Sequence, residues 1–437
     1  MNVKELSQII LDNALRMGFS DAEVRIGGGE RFSVNVQKGD VEQLTTTSTR
    51  SLSFRGTYNG KIGTSWTEWF DIEAMPILLE EAKQNASIIE EEEQPTIFDG
   101  FADEKYVFFP PRGLQFQDVP IQDRIDAALA MEKAALGGDK IKAADWVGVS
   151  VGKNETLMMN TYGLELESKG GHAGGYVSAR AVDGECTKTG GDHWSGYPDW
   201  ASFDPEVVGK SAAKKAADQL HAKQVPTGTY KIVLDDSTAG GLFGNFLSIF
   251  SADVAQKGRS LLAGRLGEKI ANDNFTLTDT PHAEGLESSY DAEGVATYNK
   301  AVVENGVFKT FLHNRKTAKI DGVKSTGNAN SGSSAGFSNA RIKPGTLSEE
   351  EIIAKCGDGL YITSLAGFGA NATSGDISMT ATGFVIEGGK IGRPVEQITV
   401  AGNFFDVIKD IEEIGKDVRW GYMSPCVLIK SMSVAGE

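Results

Sequence analysis

Residues 361–402 restrict the fold of this chain more than any other segment. A run of small residues at 367–376 precedes an alternating apolar pattern that begins at Ile377 and Met379, and a glycine-rich turn follows at 387–390. Alternation with a period of two predicts a β-strand with one buried face, and the turn predicts a second, antiparallel strand. Small residues beside such strands favour either a groove for an extended peptide or a tight corner of a sheet.

The rest of the chain predicts an α+β fold with two domains. Asn2 and Glu5 have the spacing of a capping box at the start of a first helix, and Asn59-Gly60 is a hairpin turn between two strands. We predict a helix-flanked antiparallel sheet over residues 1–222. A break rich in proline and glycine then leads into a domain of mostly β-structure over residues 225–437.

Length and charge exclude several classes of protein. A chain of 437 residues exceeds one ordinary hydrophobic core, and its formal net charge of −17 repels a phosphate backbone. No run approaches the roughly 20 apolar residues of a membrane span, and the N-terminus has no apolar signal-peptide core. We therefore expect a cytoplasmic protein with neither nucleic acid nor membrane as a partner.

The pattern of potential metal ligands argues against a zinc site in this chain. None of the five histidines lies within four residues of another, so no helical turn presents a pair of imidazoles, and H-E-x-x-H is absent. The three cysteines, Cys186, Cys356 and Cys426, are far apart and have no paired spacing. We expect no bound cofactor.

Two other features leave alternatives open. Ser374 and Ser378 lie close to Asp376, as in a hydrolase, although no histidine is tied to them by spacing. The loop at 189–203 contains an aromatic cluster that includes Trp194. Such a loop either grips a peptide or partner, or packs its rings onto its own domain.

Five short motifs in a fixed order carry a family resemblance from end to end of the chain. They are DAEV at 21–24 after the opening helix, NTYG at 160–163, STGN at 325–328, SGD at 374–376 and TVAG at 399–402. With them the chain resembles the TldD/PmbA family, also called the modulator of DNA gyrase family. The resemblance implies that family's fold, with the C-terminal domain of its metallopeptidase type.

The resemblance also bears on the metal. The family has one kind of subunit with His-Glu-x-x-x-His on a helix early in the C-terminal domain, and one kind without it. Counting back from the shared segment at 260–268, that helix corresponds to residues 240–251. Phe243, Gly244 and Ser248 then stand at the positions of the first histidine, the glutamate and the second histidine, and none of them can bind zinc or move a proton.

The resemblance therefore implies the metal-free subunit of a TldD/TldE-type heterodimeric zinc metallopeptidase, inactive alone. A TldD-like partner would supply zinc and the His-Glu-x-x-x-His motif, and unfolded peptides would enter as extended strands, as in peptide-antibiotic maturation and antitoxin turnover. This chain would contribute a substrate cavity formed by Ala370, Asn371, Thr373, Ser374, Gly375, Asp376 and Ser378. The alternative is a stand-alone, homodimeric peptide-binding or scaffold protein without enzymatic activity.

Overall fold

The computed structural model describes residues 2–90, 96–330 and 334–437. The chain forms two compact units. The first comprises Met1–Arg180, Gly190–Lys214 and Ser289–Ala296, and the second comprises Ala181–Thr189, Lys215–Ser288 and Thr297–Glu437. Because the units exchange short segments, the domain boundary at residues 222–225 stays a prediction.

The N-terminal part of the chain contains helices α1 (Val3–Arg16), α2 (Met75–Ile88), α3 (Ile121–Leu136) and α4 (Pro205–Asp218). Its strands are β1 (Asp21–Gln37), β2 (Asp40–Tyr58), β3 (Lys61–Thr67), β4 (Ile141–Asn160), β5 (Glu165–Asp183) and β6 (Cys186–Trp194). They form one six-stranded sheet in the order β3-β2-β1-β4-β5-β6. β1 pairs antiparallel with β2 and with β4, as the prediction of an antiparallel sheet requires.

The capping box predicted for α1 is confirmed. The Asn2 side chain accepts the Glu5 amide at 2.8 Å, and the Glu5 carboxylate accepts the Asn2 amide at 3.0 Å. These bonds satisfy amides that the first helical turn leaves without partners. One face of the helix is then buried in the core of the first unit through Leu6, Ile10 and Leu11.

The hairpin of β1 and β2 is long, and α3 holds its turn. The Lys38 and Gly39 amides donate to the two oxygens of the buried Glu132 carboxylate at 2.6 and 2.9 Å. β3 pairs only with the second half of β2, from Leu52 to Tyr58. In the described part of the chain, no strand pairs with the outer edge of residues 40–51.

The C-terminal part is rich in sheet, as predicted. Its strands are β7 (Gly228–Leu234), β8 (Leu277–Asp279), β9 (Lys300–Glu304), β10 (Val307–Phe308), β11 (Ala340–Ile342), β12 (Gly359–Ala366), β13 (Asp376–Glu387), β14 (Lys390–Asn403), β15 (Ile411–Ile414) and β16 (Val427–Ala435). Its helices are α5 (Asp236–Gly244), α6 (Ala252–Gln256), α7 (Arg315–Asp321), α8 (Glu349–Cys356) and α9 (Phe404–Lys409). Short 3-10 helices in the chain lie at Ile72–Ala74, Phe101–Asp103, Leu114–Asp118, Trp200–Ser202 and Leu247–Phe250.

Two sheets organise this second unit. One has the order β14-β13-β12-β7-β16-β15, and β14 also pairs with β16, which closes five strands into a barrel. The other has four strands in the order β10-β9-β8-β11. A large apolar core that includes Phe246, Phe250 and Phe404 joins these sheets to α5 and α9. The α+β fold class is confirmed. Among the described residues, no helix has the length and apolar character needed to cross a membrane.

Candidate functional site

The segment expected to correspond to the family's metal-binding helix begins with a well-formed cap. Asp235 is the N-cap of α5, and its carboxylate accepts the Thr238 amide at 2.6 Å. The helix ends at Gly244, where the Asn245 side chain donates to the Gly241 carbonyl at 3.0 Å. Glycine destabilises a helix by about 1 kcal/mol relative to alanine, and α5 contains three glycines. The prediction of one helix over residues 240–251 is therefore wrong, because a 3-10 turn at Leu247–Phe250 follows the break.

The side chains at the motif positions lie in different environments. Phe243 is 3% exposed, and its ring centroid lies 5.9 Å from that of Phe275 and 6.5 Å from that of Phe404. Gly244 and Ser248 are exposed. The first position therefore faces the hydrophobic core while the last faces solvent.

The candidate cavity residues lie together in the loop between β12 and β13 and at the start of β13. Asn371 accepts the amides of Thr373 and Ser374 at 2.9 and 3.3 Å, which forms a tight turn. Ala370 makes an isolated bridge with Ile377. Five members are exposed, namely Asn371, Thr373, Ser374, Asp376 and Ser378. Their role as a cavity lining stays a prediction.

Gly375 determines the backbone conformation of this loop. Its φ is +80°, and a Cβ at this position would lie 2.9 Å from the side-chain nitrogen of Asn403. The Asn403 amide donates to the Ser374 carbonyl at 3.1 Å, and the Phe404 amide donates to the Gly375 carbonyl. The Ser-Gly-Asp motif thereby ties the loop to the start of α9, and only glycine adopts this backbone without strain.

In the described part of the chain, Ser374 contacts a carboxylate and no imidazole. Its hydroxyl donates to the Asp376 carboxylate at 2.7 Å. None of the contacts of Ser374 or Asp376 with the described residues involves an imidazole. The histidine that activates the serine in a Ser-His arrangement is therefore missing from these contacts, and the geometry does not favour the hydrolase alternative.

The aromatic loop packs its rings onto its own neighbours. Trp194 stacks on Phe203 with ring centroids 4.4 Å apart, and Trp200 meets both rings edge-on. Trp194 also contacts the buried cluster around Phe116. Of the two alternatives for this loop, the arrangement favours packing within the unit.

A buried polar network in the second unit was not predicted from the sequence. The Lys300 ammonium group lies 3.1 Å from the Asp279 carboxylate, and both groups contact the Asn328 side chain. The Ser338 and Asn339 amides donate to the other Asp279 oxygen. Asn328 is the last residue of the STGN motif, so this motif organises a turn. The only signal in the sequence is the motif itself, since Asp279, Lys300 and Asn328 are widely separated.

Three models of one family match successive parts of the chain. Residues 22–86 match domain 1 of the PmbA/TldA metallopeptidases, residues 115–220 match the central domain, and residues 227–436 match the C-terminal domain. The chain belongs to the PmbA/TldD metallopeptidase family. The resemblance drawn from the five motifs is confirmed, and a metallopeptidase-related role follows at the level of the family.

Individual PmbA/TldD relatives match nearly the whole chain. Metalloprotease PmbA of Escherichia coli O157:H7 is 29% identical, over 97% of this chain and 94% of the relative. A crystal structure from Thermotoga maritima, named for modulation of a DNA gyrase, is 30% identical with a TM-score of 0.91, and covers 99% of this chain and 100% of that one. TldE from Thermococcus kodakarensis has a TM-score of 0.90 at 23% identity, over 99% of this chain and 100% of that chain, and this likeness concerns the fold alone.

The family name implies a catalytic metal, and the residues of this PmbA/TldD chain do not fit zinc. Zinc requires three or four converging nitrogen, sulfur or oxygen donors. Phe243 and Gly244 offer no such donor, and the Ser248 hydroxyl faces solvent. Within residues 2–90, 96–330 and 334–437, no group of three or more His, Cys, Asp or Glu side chains is arranged to hold a metal ion.

Cys426 does not compensate for the missing histidines. Its side chain is buried beside β7 and α8, in a cluster with Val233, Ile353 and Leu428. Burial raises the pKa of the Cys426 thiol to about 12, and the negative charges of neighbouring carboxylates, Glu349 first among them, act in the same direction. A metal binds the thiolate, which this environment disfavours.

Proposed function

We propose that this chain is the non-catalytic, metal-free subunit of a TldD/TldE-type heterodimeric zinc metallopeptidase. The observation that carries the proposal is the buried ring of Phe243 at the position of the first zinc ligand. The Phe243 side chain packs against Phe275 and Phe404, so an imidazole at this position would lie in the hydrophobic core and would not face a substrate. Zinc and the glutamate base must then come from a TldD-like partner that carries His-Glu-x-x-x-His.

The exposed loop at residues 370–378 supports a role for this chain in binding substrate. Its hydroxyl, amide and carboxylate groups are close together on a hydrogen-bonded turn, and small side chains leave the backbone of an extended peptide room to approach. In the proposed complex this loop faces unfolded peptides, and the cytoplasm is the compartment where they are processed. Peptide-antibiotic maturation and antitoxin turnover are the processes expected from the family.

The test is co-expression with a TldD-like subunit, followed by purification, zinc analysis and cleavage of an unstructured peptide. The complex should contain one equivalent of zinc and cleave the peptide, whereas this chain alone should do neither. Glu→Gln in the partner's motif should abolish cleavage while leaving the complex intact. Stoichiometric zinc in this chain alone, or cleavage by it, would overturn the proposal.

A further inference from the structure

Three buried side chains of the second unit place an amine, a carboxylate and a carboxamide in mutual contact. Asp279 and Lys300 lie directly opposite each other on the paired strands β8 and β9. Asn328 reaches them from the loop that follows α7. The Lys300 and Asp279 side chains are 6% and 0% exposed, and Asn328 is 1% exposed. The proposed function uses none of these groups, so their chemistry is considered by itself.

One oxygen of Asp279 contacts the nitrogens of both neighbours. The Lys300 Nζ donates to Asp279 Oδ2 at 3.1 Å, and the Asn328 Nδ2 donates to the same oxygen at 2.6 Å. The other oxygen, Oδ1, accepts the amides of Ser338 and Asn339 at 3.0 and 2.9 Å. The carboxylate is therefore held with Oδ2 between an amine and an amide nitrogen, where it can carry protons from one to the other.

The Lys300 amine also contacts the carboxamide that it could attack. Its Nζ donates to Asn328 Oδ1 at 3.0 Å, so the carbon bonded to that oxygen, Cγ, is the next atom along. The Gly336 carbonyl accepts Asn328 Nδ2 at 2.9 Å, which fixes the orientation of the carboxamide. The Tyr298 ring lies against Nζ, with its centroid 4.3 Å away. Groups held in contact away from water react with each other in preference to solvent.

We propose that Lys300 and Asn328 form an intramolecular isopeptide bond, with Asp279 as the catalytic proton carrier. The Nζ lone pair forms the new bond to Cγ, and the electron pair of the Cγ–Nδ2 bond leaves with the nitrogen. Nζ loses two protons and Nδ2 gains two, both through Asp279 Oδ2, so ammonium departs and the carboxylate is recovered. The reaction needs no oxidant, reductant or cofactor.

The bond would join β9 to the loop after α7 and close a covalent ring over residues 300–328. A cross-link of this kind stabilises a fold chiefly by restricting the unfolded chain. The ion pair of Lys300 and Asp279 is the state before the reaction, and burial of that pair provides the contact that the reaction requires. The inference goes beyond the proposed function and does not depend on it.

The test is mass spectrometry of the purified full-length chain, intact and after proteolysis. Wild type should be lighter than its sequence mass by one ammonia, about 17 Da, and digestion should release the Lys300 and Asn328 segments as one joined peptide. K300R keeps the positive charge but offers a guanidinium that does not deprotonate, and D279N removes the proton acceptor. Both variants should keep the full sequence mass.

Two controls separate this bond from other losses of ammonia. The Asn59-Gly60 pair can also lose ammonia by closing on its own backbone, and that loss would persist in K300R and map to residue 59. Wild type held in urea should keep its full mass and should lose ammonia after refolding, because the reaction requires the folded site.

Wild type alone decides the outcome, so a variant that fails to fold does not hide it. Folded wild type that keeps its full sequence mass, or that yields the two segments only as separate peptides, would overturn the inference. A joined peptide that still forms in D279N would refute the role of Asp279 as proton carrier.

Discussion

The ammonium group of Lys300 lies 3.1 Å from the carboxylate of Asp279, and the two side chains are 6% and 0% exposed. The pair ties two other segments of the second unit to β8, because the same carboxylate accepts hydrogen bonds from the Asn328 side chain and from the adjacent amides of Ser338 and Asn339. Buried charges are stable only when they are paired and hydrogen-bonded. The network therefore gives the region around the STGN motif one arrangement.

Removing one partner of this pair should destabilise the chain strongly. Asp279→Ala leaves the Lys300 charge buried without its carboxylate and should lower the free energy of unfolding by about 3–5 kcal/mol. The double variant D279A/K300M should lose less than D279A alone, since no buried charge remains. Urea titration measures both. In the control, D273A removes the exposed pair with Lys269 and should change little, and an equal loss in D279A and D273A would refute the argument.

Introducing the His, Glu and His residues of the metal-binding motif at these positions should not create a metal site. F243H/G244E/S248H places the first imidazole in the apolar core and the second in solvent, and the helix between them is broken. We expect no stoichiometric zinc by elemental analysis and a loss of about 3 kcal/mol or more from the Phe243 change. G244E/S248H, confined to exposed positions, should remain near wild-type stability. One tightly held zinc in the triple variant would contradict this geometry.

Gly375→Ala should disturb the candidate substrate loop, and Gly388→Ala serves as the control variant. At φ +80° alanine is strained by about 1–2 kcal/mol, and its Cβ would also press on the Asn403 side chain. Gly388 has φ +54° with open space around it, so G388A carries backbone strain without a clash. G375A should reduce peptide cleavage by the co-expressed complex more than G388A does. Equal cleavage by the two complexes, with the G375A loop demonstrably altered, would exclude this loop from the cavity.

Glu349 should make the stability of the chain depend on pH. Burial raises the pKa of this carboxyl above its ordinary value of about 4.3, and the hydrogen bond from the Tyr361 hydroxyl at 2.7 Å opposes that rise. The folded state holds the Glu349 proton more tightly than the unfolded state does. The stabilisation that this proton contributes is therefore present at low pH, and it is lost as the pH rises from the ordinary carboxyl pKa through the pKa of the folded state.

Glu349→Gln should therefore be more stable than wild type at neutral pH, since glutamine keeps the acceptor for Tyr361 and carries no charge. The difference should shrink as the pH is lowered towards 4 in chemical denaturation experiments. E350Q, at the adjacent exposed position of α8, is the control and should show no such trend. A glutamine variant less stable than wild type at pH 7 would mean that the charge stabilises the start of α8 instead.

Several elements could be predicted from local pattern alone. The capping box of Asn2 and Glu5, the hairpin at Asn59-Gly60 and the alternating strand after Ile377 all depend on residues close in sequence. Their physics is local, because a cap or a tight turn is decided within four residues. Residues 40–51 escaped prediction as a strand, since exposed threonine and serine on both faces produce no alternation.

The sequence by itself determined the family, the α+β class and the lack of histidine pairs that could bind zinc. Only the tertiary structure decided that the Phe243 ring is buried in the core, that Asp279 and Lys300 meet, and that the first half of β2 has an open edge. These features depend on contacts between residues far apart in the chain, and no periodicity or spacing encodes such contacts. They depend on which strands pair with one another, and the packing of the whole unit determines that pairing.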